Sequence, residues 1–299
     1  MDTPTTVDLF INATALSRMA CDRQYQVTCQ WGYPGPDSDF AEFGSGFHSF
    51  AEYYEAKPPD REFDAIEYFT QVNPTKDKNL AVLATHYSTC DPFRCIPALK
   101  DKHGTLCLEY KFAFPALQWT SSDGITYRAI ICGTIDRIDL TPEGAIRVID
   151  RKTSRNVKTK DVLFEYETHI QIPFYQWVLK RFLADEFEED IANRIKEGRI
   201  VGQYHGIFLS FNPAKFELGN PIPLTPDMED NINKIVGNAF ERMIAIHQLG
   251  TALAPPTGMA HHACKYCHLK FQCITRKDEN VMKYLSACDN IPYDPRTWR

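Results

Sequence analysis

No stretch of this chain reaches the roughly 18 consecutive apolar residues that a membrane-crossing helix needs. Met1 to Leu9 has no basic segment leading into an apolar core. Neither a membrane span nor a secretory signal is therefore expected, and the cytoplasm is the default location. No G-x-x-x-x-G-K-[ST] run occurs, so the chain carries no P-loop and is not expected to be an ATP-driven helicase–nuclease. Internal repeats and low-complexity tracts are missing too, which sets aside repeat architectures. Positive charge is in short supply: 33 Lys and Arg face 39 Asp and Glu, a formal net charge of −6. Nucleic-acid binders are usually basic, so the total argues mildly against such a partner. It says little about local patches, and a divalent-metal site brings clustered carboxylates of its own.

Cysteine, by contrast, is plentiful, with ten in 299 residues. A reducing compartment keeps thiols from pairing, so some should be metal ligands and others small buried hydrophobes. The length suits one large domain or two small ones. The reading here is a single domain over 1–299, with a core at about 40–215 and a second region formed by about 12–30 together with 250–280.

The apolar pattern gives a coarse order of elements. Thr14 to Gln26 reads as a helix with Thr14 as its cap. Tyr33 to Asp39 is a loop, and Glu42 to Ala56 an aromatic-rich helix stopped by Pro58-Pro59. The signals from Asp60 to about Lys102 are mixed and place no element. Thr105 to Phe114 alternates, with Leu106, Leu108, Tyr110, Phe112 and Phe114 on one face of a strand. Glu109 falls on the other face; it could reach the site, but reads first as a solvated charge. Ile125 to Leu140 and Ala145 to Thr153 are strands joined by a turn at Pro142-Glu143-Gly144. A helix over Thr168 to Ala184, a strand over Gln203 to Phe211 and a helix over Asp227 to Gln248 follow. Pro173 is tolerated only in a first helical turn, which moves the start of its helix toward Gln171. The sum is an α/β domain on a central mixed sheet flanked by helices.

The strand pair around Glu143 carries chemistry. Reflection about that residue sets Asp136 opposite Asp150, and opposed residues on paired strands lie about 5 Å apart on one face. Two carboxylates so placed repel and desolvate each other, and a bound cation is the usual compensation. Lys152, two residues past Asp150, joins the same face. Two carboxylates can hold Mg²⁺ or Mn²⁺, and a lysine can orient water or neutralise charge, as phosphodiester hydrolysis requires. On the hairpin alone, a simple surface Asp–Lys ion pair is an equal alternative.

Gly133-Thr-Ile-Asp136-Arg-Ile-Asp139 followed by Val148-Ile-Asp150-Arg-Lys152-Thr153 resembles the core of RecB-type PD-(D/E)xK nucleases. The resemblance implies a restriction-endonuclease-like core in which Asp136 and Asp150 bind metal and Lys152 is catalytic. Gly44-Ser-Gly-Phe-His48 resembles the family's G-x3-H helix, which implies His48 as a further ligand; Glu52 follows one turn on. Gln171-Ile-Pro-Phe-Tyr175 resembles its Q-x3-Y helix and implies residues that position substrate or site.

The segment His261-His262-Ala-Cys264-Lys-Tyr-Cys267-His268-Leu-Lys-Phe-Gln-Cys273 spaces three cysteines as C-x2-C-x5-C. That is one short of a closed four-ligand site. Cys21-Asp-Arg-Gln-Tyr25 resembles the C-x-R-x-Y/F helix that opens the iron-stapled, AddB-like and CRISPR-adaptation branch of these nucleases. The resemblance implies a [4Fe–4S] cluster on Cys21, Cys264, Cys267 and Cys273. Zinc is the alternative, with His261, His262 and His268 at hand, and thiolates alone do not choose between them. Cys29, Cys90, Cys95, Cys107, Cys132 and Cys288 read as unligated.

Arg151, Lys152, Arg155, Lys158 and Lys160 form a local basic run. Beside a metal site it suits a phosphate backbone, with Arg151 and Arg155 as substrate contacts. The resemblance implies DNA as partner and exonuclease activity that favours single strands or ends, with endonuclease action possible. A separate helicase, recombination or CRISPR-adaptation protein could work beside the chain. The rival reading is a catalytically silent nucleic-acid-binding or assembly subunit of the same fold, and RNA as substrate stays open.

Overall fold

The central strands are buried on both sides, as in a sheet covered by helices on both faces. In the computed structural model Ile135 to Asp139, Ile146 to Arg151 and Tyr204 to Phe208 are buried without a break. The structure describes residues 6–33, 39–57, 64, 67–74, 77–90, 92–93, 95–154, 169–209, 213–250, 252–256, 264, 267, 269–270, 273 and 278–286. Seven strands make one mixed sheet: β1 (Thr6–Ile11), β2 (Leu108–Thr120), β3 (Thr126–Leu140), β4 (Ile146–Ser154), β5 (Ile200–Phe208), β6 (Lys215–Leu218) and β7 (Ile222–Pro223). The chain divides into two compact units, 1–37 with 113–133 and 233–299, and 38–112 with 134–232. Strand β3 gives its first half to one and its second half to the other.

In the first unit β1 runs parallel to the first half of β3, from Thr6↔Thr126 to Ile11↔Ile131. The helix expected from Thr14 to Gln26 is broken. Helix α1 covers Ala13–Arg18 and takes Asn12, not Thr14, as its cap, because the Asn12 side chain accepts from Ala15 N at 2.8 Å. Such a side chain satisfies an otherwise orphaned amide of the first turn. Cys21, in extended conformation, then precedes α2 (Asp22–Tyr25), which runs on into a π turn, Gln26–Gln30. The buried side chains of Arg23 and Gln26 bind residues far along the sequence. Arg23 Nε donates to Ala254 O at 2.8 Å, and its other end pairs with Asp278 at 2.8 Å. Gln26 donates to Ala252 O and accepts from Ala254 N. A small core of Val27, Leu269 and Val281, with Cys267 and Cys273 packed on it, lies beside them.

In the second unit β3 and β4 pair antiparallel, β4 and β5 parallel, and β6 and β7 both return antiparallel to β5. Gly144 closes the β3–β4 turn at φ +78°, a conformation that favours glycine. Helix α3 (Asp39–Glu55) and α4 (Lys78–Cys90) share an aromatic core of Phe43, Phe47, Phe50, Tyr54, Tyr68 and Tyr87, which also takes in Ile207 of β5. Helix α4 and a π turn at Tyr68–Val72 occupy the stretch whose sequence signals were mixed. Helix α5 (Gln171–Val178) starts with Pro173 in its first turn and lies against Gly202 of β5. Gly202 and Ile207 are an odd number of residues apart, so α5 covers one sheet face and the α3–α4 pair the other. Two further helices are α6 (Glu189–Lys196) and α7 (Pro226–Gln248), and α8 (Asp278–Ser286) closes the described chain.

Candidate active site

The observed β3–β4 register pairs Arg137 with Ile149 and Leu140 with Ile146, centred on Glu143 as the reflection required. Asp136 and Asp150 take the next position, where the ladder stops. There the Arg151 amide donates to Asp136 Oδ2 at 2.6 Å. Asp136 is 7 % exposed and Asp150 1 %. Burial raises both carboxyls above their ordinary range; for Asp136 nearby His48 pulls back and Glu109 adds to the rise. Asp150 is pushed up to about 6, with Lys152 offsetting part of the burial and Asp136 adding to it. Lys152 Nζ lies 2.8 Å from Asp150 Oδ2. Apart from that Lys152 contact, neither Asp150 oxygen has a hydrogen-bond partner among the described residues.

Both sheet faces feed this position. In the β4–β5 register Asp150 matches Tyr204 and Arg151 matches His205. Asp150 and Lys152 therefore share the α5 face with Gly202, while Arg151 shares the α3–α4 face with Ile207. From α5, Gln171 Oε1 accepts from Lys152 Nζ at 2.9 Å, and Gln171 Nε2 donates to Tyr175 OH at 3.1 Å. Burial, then Asp150 and Asp136, push the Tyr175 phenol far up, so it stays protonated. From α3, His48 Nδ1 reaches Asp136 Oδ1 at 3.6 Å and Glu109 Oε1 at 3.0 Å. Burial pulls the His48 pKa down, but Asp136 and Glu109 outweigh it and hold the ring above its ordinary value. Gly44, one turn before His48, faces β4: a Cβ there would sit in ordinary contact with Thr153 Oγ1, at 3.4 Å.

Candidate ligand atoms of His48, Glu109 and Asp136 all lie within 4.8 Å of one another. Glu109 was read as a solvated charge, and the structure corrects this. Its backbone holds φ +45°, alone among the described non-glycine residues in being positive. A glutamate in that region is strained by roughly 1–3 kcal/mol, and such strain concentrates at functional sites. Strand alternation carries no trace of it, which is why the sequence pattern missed the residue. Glu52, Glu109, Lys111 and Lys152 line an open cleft of about 570 Å³ together with Ser45, His48 and Ser49.

Arg151 is a second correction. Expected beside a phosphate, its guanidinium is turned inward, 1 % exposed and 2.6 Å from Glu55 Oε2. Arg155, Lys158 and Lys160 lie outside the described residues, as do His261, His262, His268 and Cys288. In the first unit, Cys21, Cys264, Cys267 and Cys273 do not make a compact group of the His48 kind among the described residues. They still sense each other: burial first, then neighbouring thiols including Cys21 and Cys264, raises the Cys267 and Cys273 pKa values. Arg23 lowers that of Cys273 in part, with its NH1 4.0 Å from the sulfur.

No helix among the described residues is long and apolar enough to cross a membrane. A search of curated proteins gave no match. Among solved structures, the crystal structure of SSO0001 is similar at 13 % identity over 93 % of this chain and 89 % of that one, with a TM-score of 0.35. The family model of the PD-(D/E)XK nuclease superfamily matches residues 12–274. That family consists of metal-dependent nucleases, and the match runs through every element of the site and through the cysteine segment. This chain belongs to the PD-(D/E)XK nuclease superfamily.

Proposed function

We propose that this protein is a Mg²⁺- or Mn²⁺-dependent DNA nuclease that hydrolyses phosphodiester bonds, chiefly in single strands or at DNA ends. The observation that carries the reading is the convergence of His48, Glu109 and Asp136 beside the Asp150–Lys152 pair in an open cleft. One imidazole and hard carboxylate oxygens suit such an ion. The buried, underbonded Asp150 carboxylate fits a site that gains a cation. His48, Glu109 and Asp136 would hold the ion, with Asp150 next to them. When bound it lowers the pKa of a coordinated water and offsets charge on the phosphate. Lys152, held by Asp150 and Gln171, directs its ammonium at the attacking water or the developing negative charge. Tyr175, locked as a neutral phenol, fixes Gln171 and so the lysine. Lys111, Lys152 and Arg151 all line the cleft, but the Arg151 guanidinium is turned inward to Glu55, so Lys111 and Lys152 take the phosphate-facing role.

The test is cleavage of end-labelled single- and double-stranded DNA with Mg²⁺ or Mn²⁺ and with EDTA, comparing wild type with Lys152→Ala. Metal-dependent cleavage that the variant loses by roughly 10²-fold or more supports the reading. A folded, metal-loaded wild type that cuts neither DNA would leave a silent binding subunit as the better reading. A separate helicase, recombination or CRISPR-adaptation protein would supply strand opening, since the chain has no P-loop.

We also propose a [4Fe–4S] cluster on Cys21, Cys264, Cys267 and Cys273. A single tetrahedral zinc draws its thiolates in, at about 2.3 Å from the metal. Four thiolates are the usual ligand set of such a cluster, and the contact of Arg23 with Cys273 brings the Cys21 segment to the C-terminal cysteines, which supports a shared ligand set. Arg23 beside Cys273 would offset thiolate charge. Protein purified without oxygen is expected to be brown and to contain iron, and Cys267→Ala to lose iron and solubility before chemistry. A colourless, iron-free protein with bound zinc would overturn this.

A further inference from the structure

We infer that Glu55 is a positioning residue for the metal-ligand group, acting through two buried arginines; this rests on the metal site proposed above. Glu55 ends helix α3, seven residues past His48. Two helical turns put both on one helix face, about 10 Å apart along the axis. Glu55 Oε2 lies 2.6 Å from Arg137 NH1 and 2.6 Å from Arg151 NH2, all three side chains being 1 % exposed or less. Tyr87 OH of α4 donates to the other oxygen at 2.7 Å. Arg137 directly follows Asp136 on β3, and Arg151 directly follows Asp150 on β4. The same Arg151 donates its amide to Asp136 Oδ2 and NH1 to the Asp136 carbonyl, at 3.2 Å. One carboxylate therefore joins the helix that carries His48 to both strands that carry the acidic residues.

Stability gives little reason for charge at this place. A buried ion cluster is often no better than apolar side chains of the same volume, because desolvation offsets the attraction. Direction is what charge adds. A carboxylate shared by two guanidinium groups has a narrow set of allowed positions, whereas an apolar contact lets a helix slide or turn. Glu55 thereby sets the height and rotation of α3, and the setting brings His48 against Asp136 and Glu109. Burial favours the neutral acid, but Arg151 and Arg137 outweigh it and keep Glu55 ionised.

Binding of Mn²⁺ alone, without DNA, tests this by calorimetry. Glu55→Gln/Arg151→Gln removes one charge of each sign and leaves an amide for Arg137. It is expected to keep its fold by circular dichroism while binding Mn²⁺ roughly 10–100-fold more weakly, the usual effect of removing a group that orients ligands. Binding equal to wild type overturns the inference. His48→Gln separates the two levels: if it leaves Mn²⁺ binding intact, the metal site itself is wrong. If His48→Gln loses binding while the paired variant does not, only the role of Glu55 is wrong. Should the paired variant fail to fold, Tyr87→Phe carries the test, since it deletes only the hydroxyl that fixes Glu55. Weaker Mn²⁺ binding by Tyr87→Phe supports the inference, and unchanged binding overturns it.

Discussion

A carboxylate buried next to another carboxylate holds its proton to higher pH than in water, and Asp150 shows this with its pKa near 6. His48 is raised as well, because Asp136 and Glu109 overcome its burial. Both must shed a proton to meet a cation, so protons and metal compete. Mn²⁺ affinity is therefore expected to fall as pH drops through about 6, with proton release growing in step; calorimetry in buffers of different ionisation heat measures both. An affinity flat from pH 7 to pH 5 would contradict the assigned site. At this scale strand alternation put Asp136, Asp150 and Lys152 on one face, whereas Gln171 and Tyr175 came from the resemblance to a Q-x3-Y helix, and the structure brings Gln171 to Lys152. Glu109 was not legible, because its position depends on one backbone angle that breaks the strand period. The inward turn of Arg151 was equally hidden: its partner Glu55 lies 96 residues earlier.

Between elements, small residues decide how closely two backbones approach. A Cβ on Gly202 would run into Ile172 and Gln176 of α5. The helix cannot yield without shifting Gln171 and Tyr175, which hold Lys152. Gly202→Ala is expected to cost about 1–3 kcal/mol by overpacking and to lower cleavage beyond what the stability loss explains. Urea denaturation gives the first quantity and single-turnover cleavage the second; a destabilised variant with wild-type turnover would show that α5 does not position the lysine. Hydrophobic periodicity located α3, the β3–β4 pair, β5 and α7 to within a few residues. It missed the break after Arg18, where the chain puts Cys21 in extended conformation ahead of a new helix.

Across the molecule, buried charge dominates the response to acid. His205 is fully buried among Tyr87, Phe93 and Phe216, and neither ring nitrogen has a hydrogen-bond partner among the described residues. Burial first, and Arg151 next, lower its pKa to about 3. Between that value and the ordinary one near 6.5 the unfolded chain binds a proton that the folded chain refuses. Stability is thus full above about pH 6.5 and falls as pH drops through the window, by up to about 1.4 kcal/mol per unit. His205→Phe keeps the ring contacts and is expected to flatten the acid limb of a melting-temperature profile. A limb as steep as wild type would place the acid sensitivity elsewhere, among the raised and lowered carboxylates.

By itself the sequence determined the four strands β2 to β5, though not β1, β6 or β7, and the face on which Asp136, Asp150 and Lys152 meet. Those follow from periods of two and 3.6 residues and from a turn whose centre is fixed by Gly144. Only tertiary structure decided that Glu109 lies against His48 and Asp136, that Arg151 serves Glu55 rather than solvent, and that Arg23 and Gln26 bind residues more than 220 positions away. Each of these joins groups distant in sequence through charge or hydrogen bonds buried from water, and such partners are selected by geometry after folding, not by any local pattern.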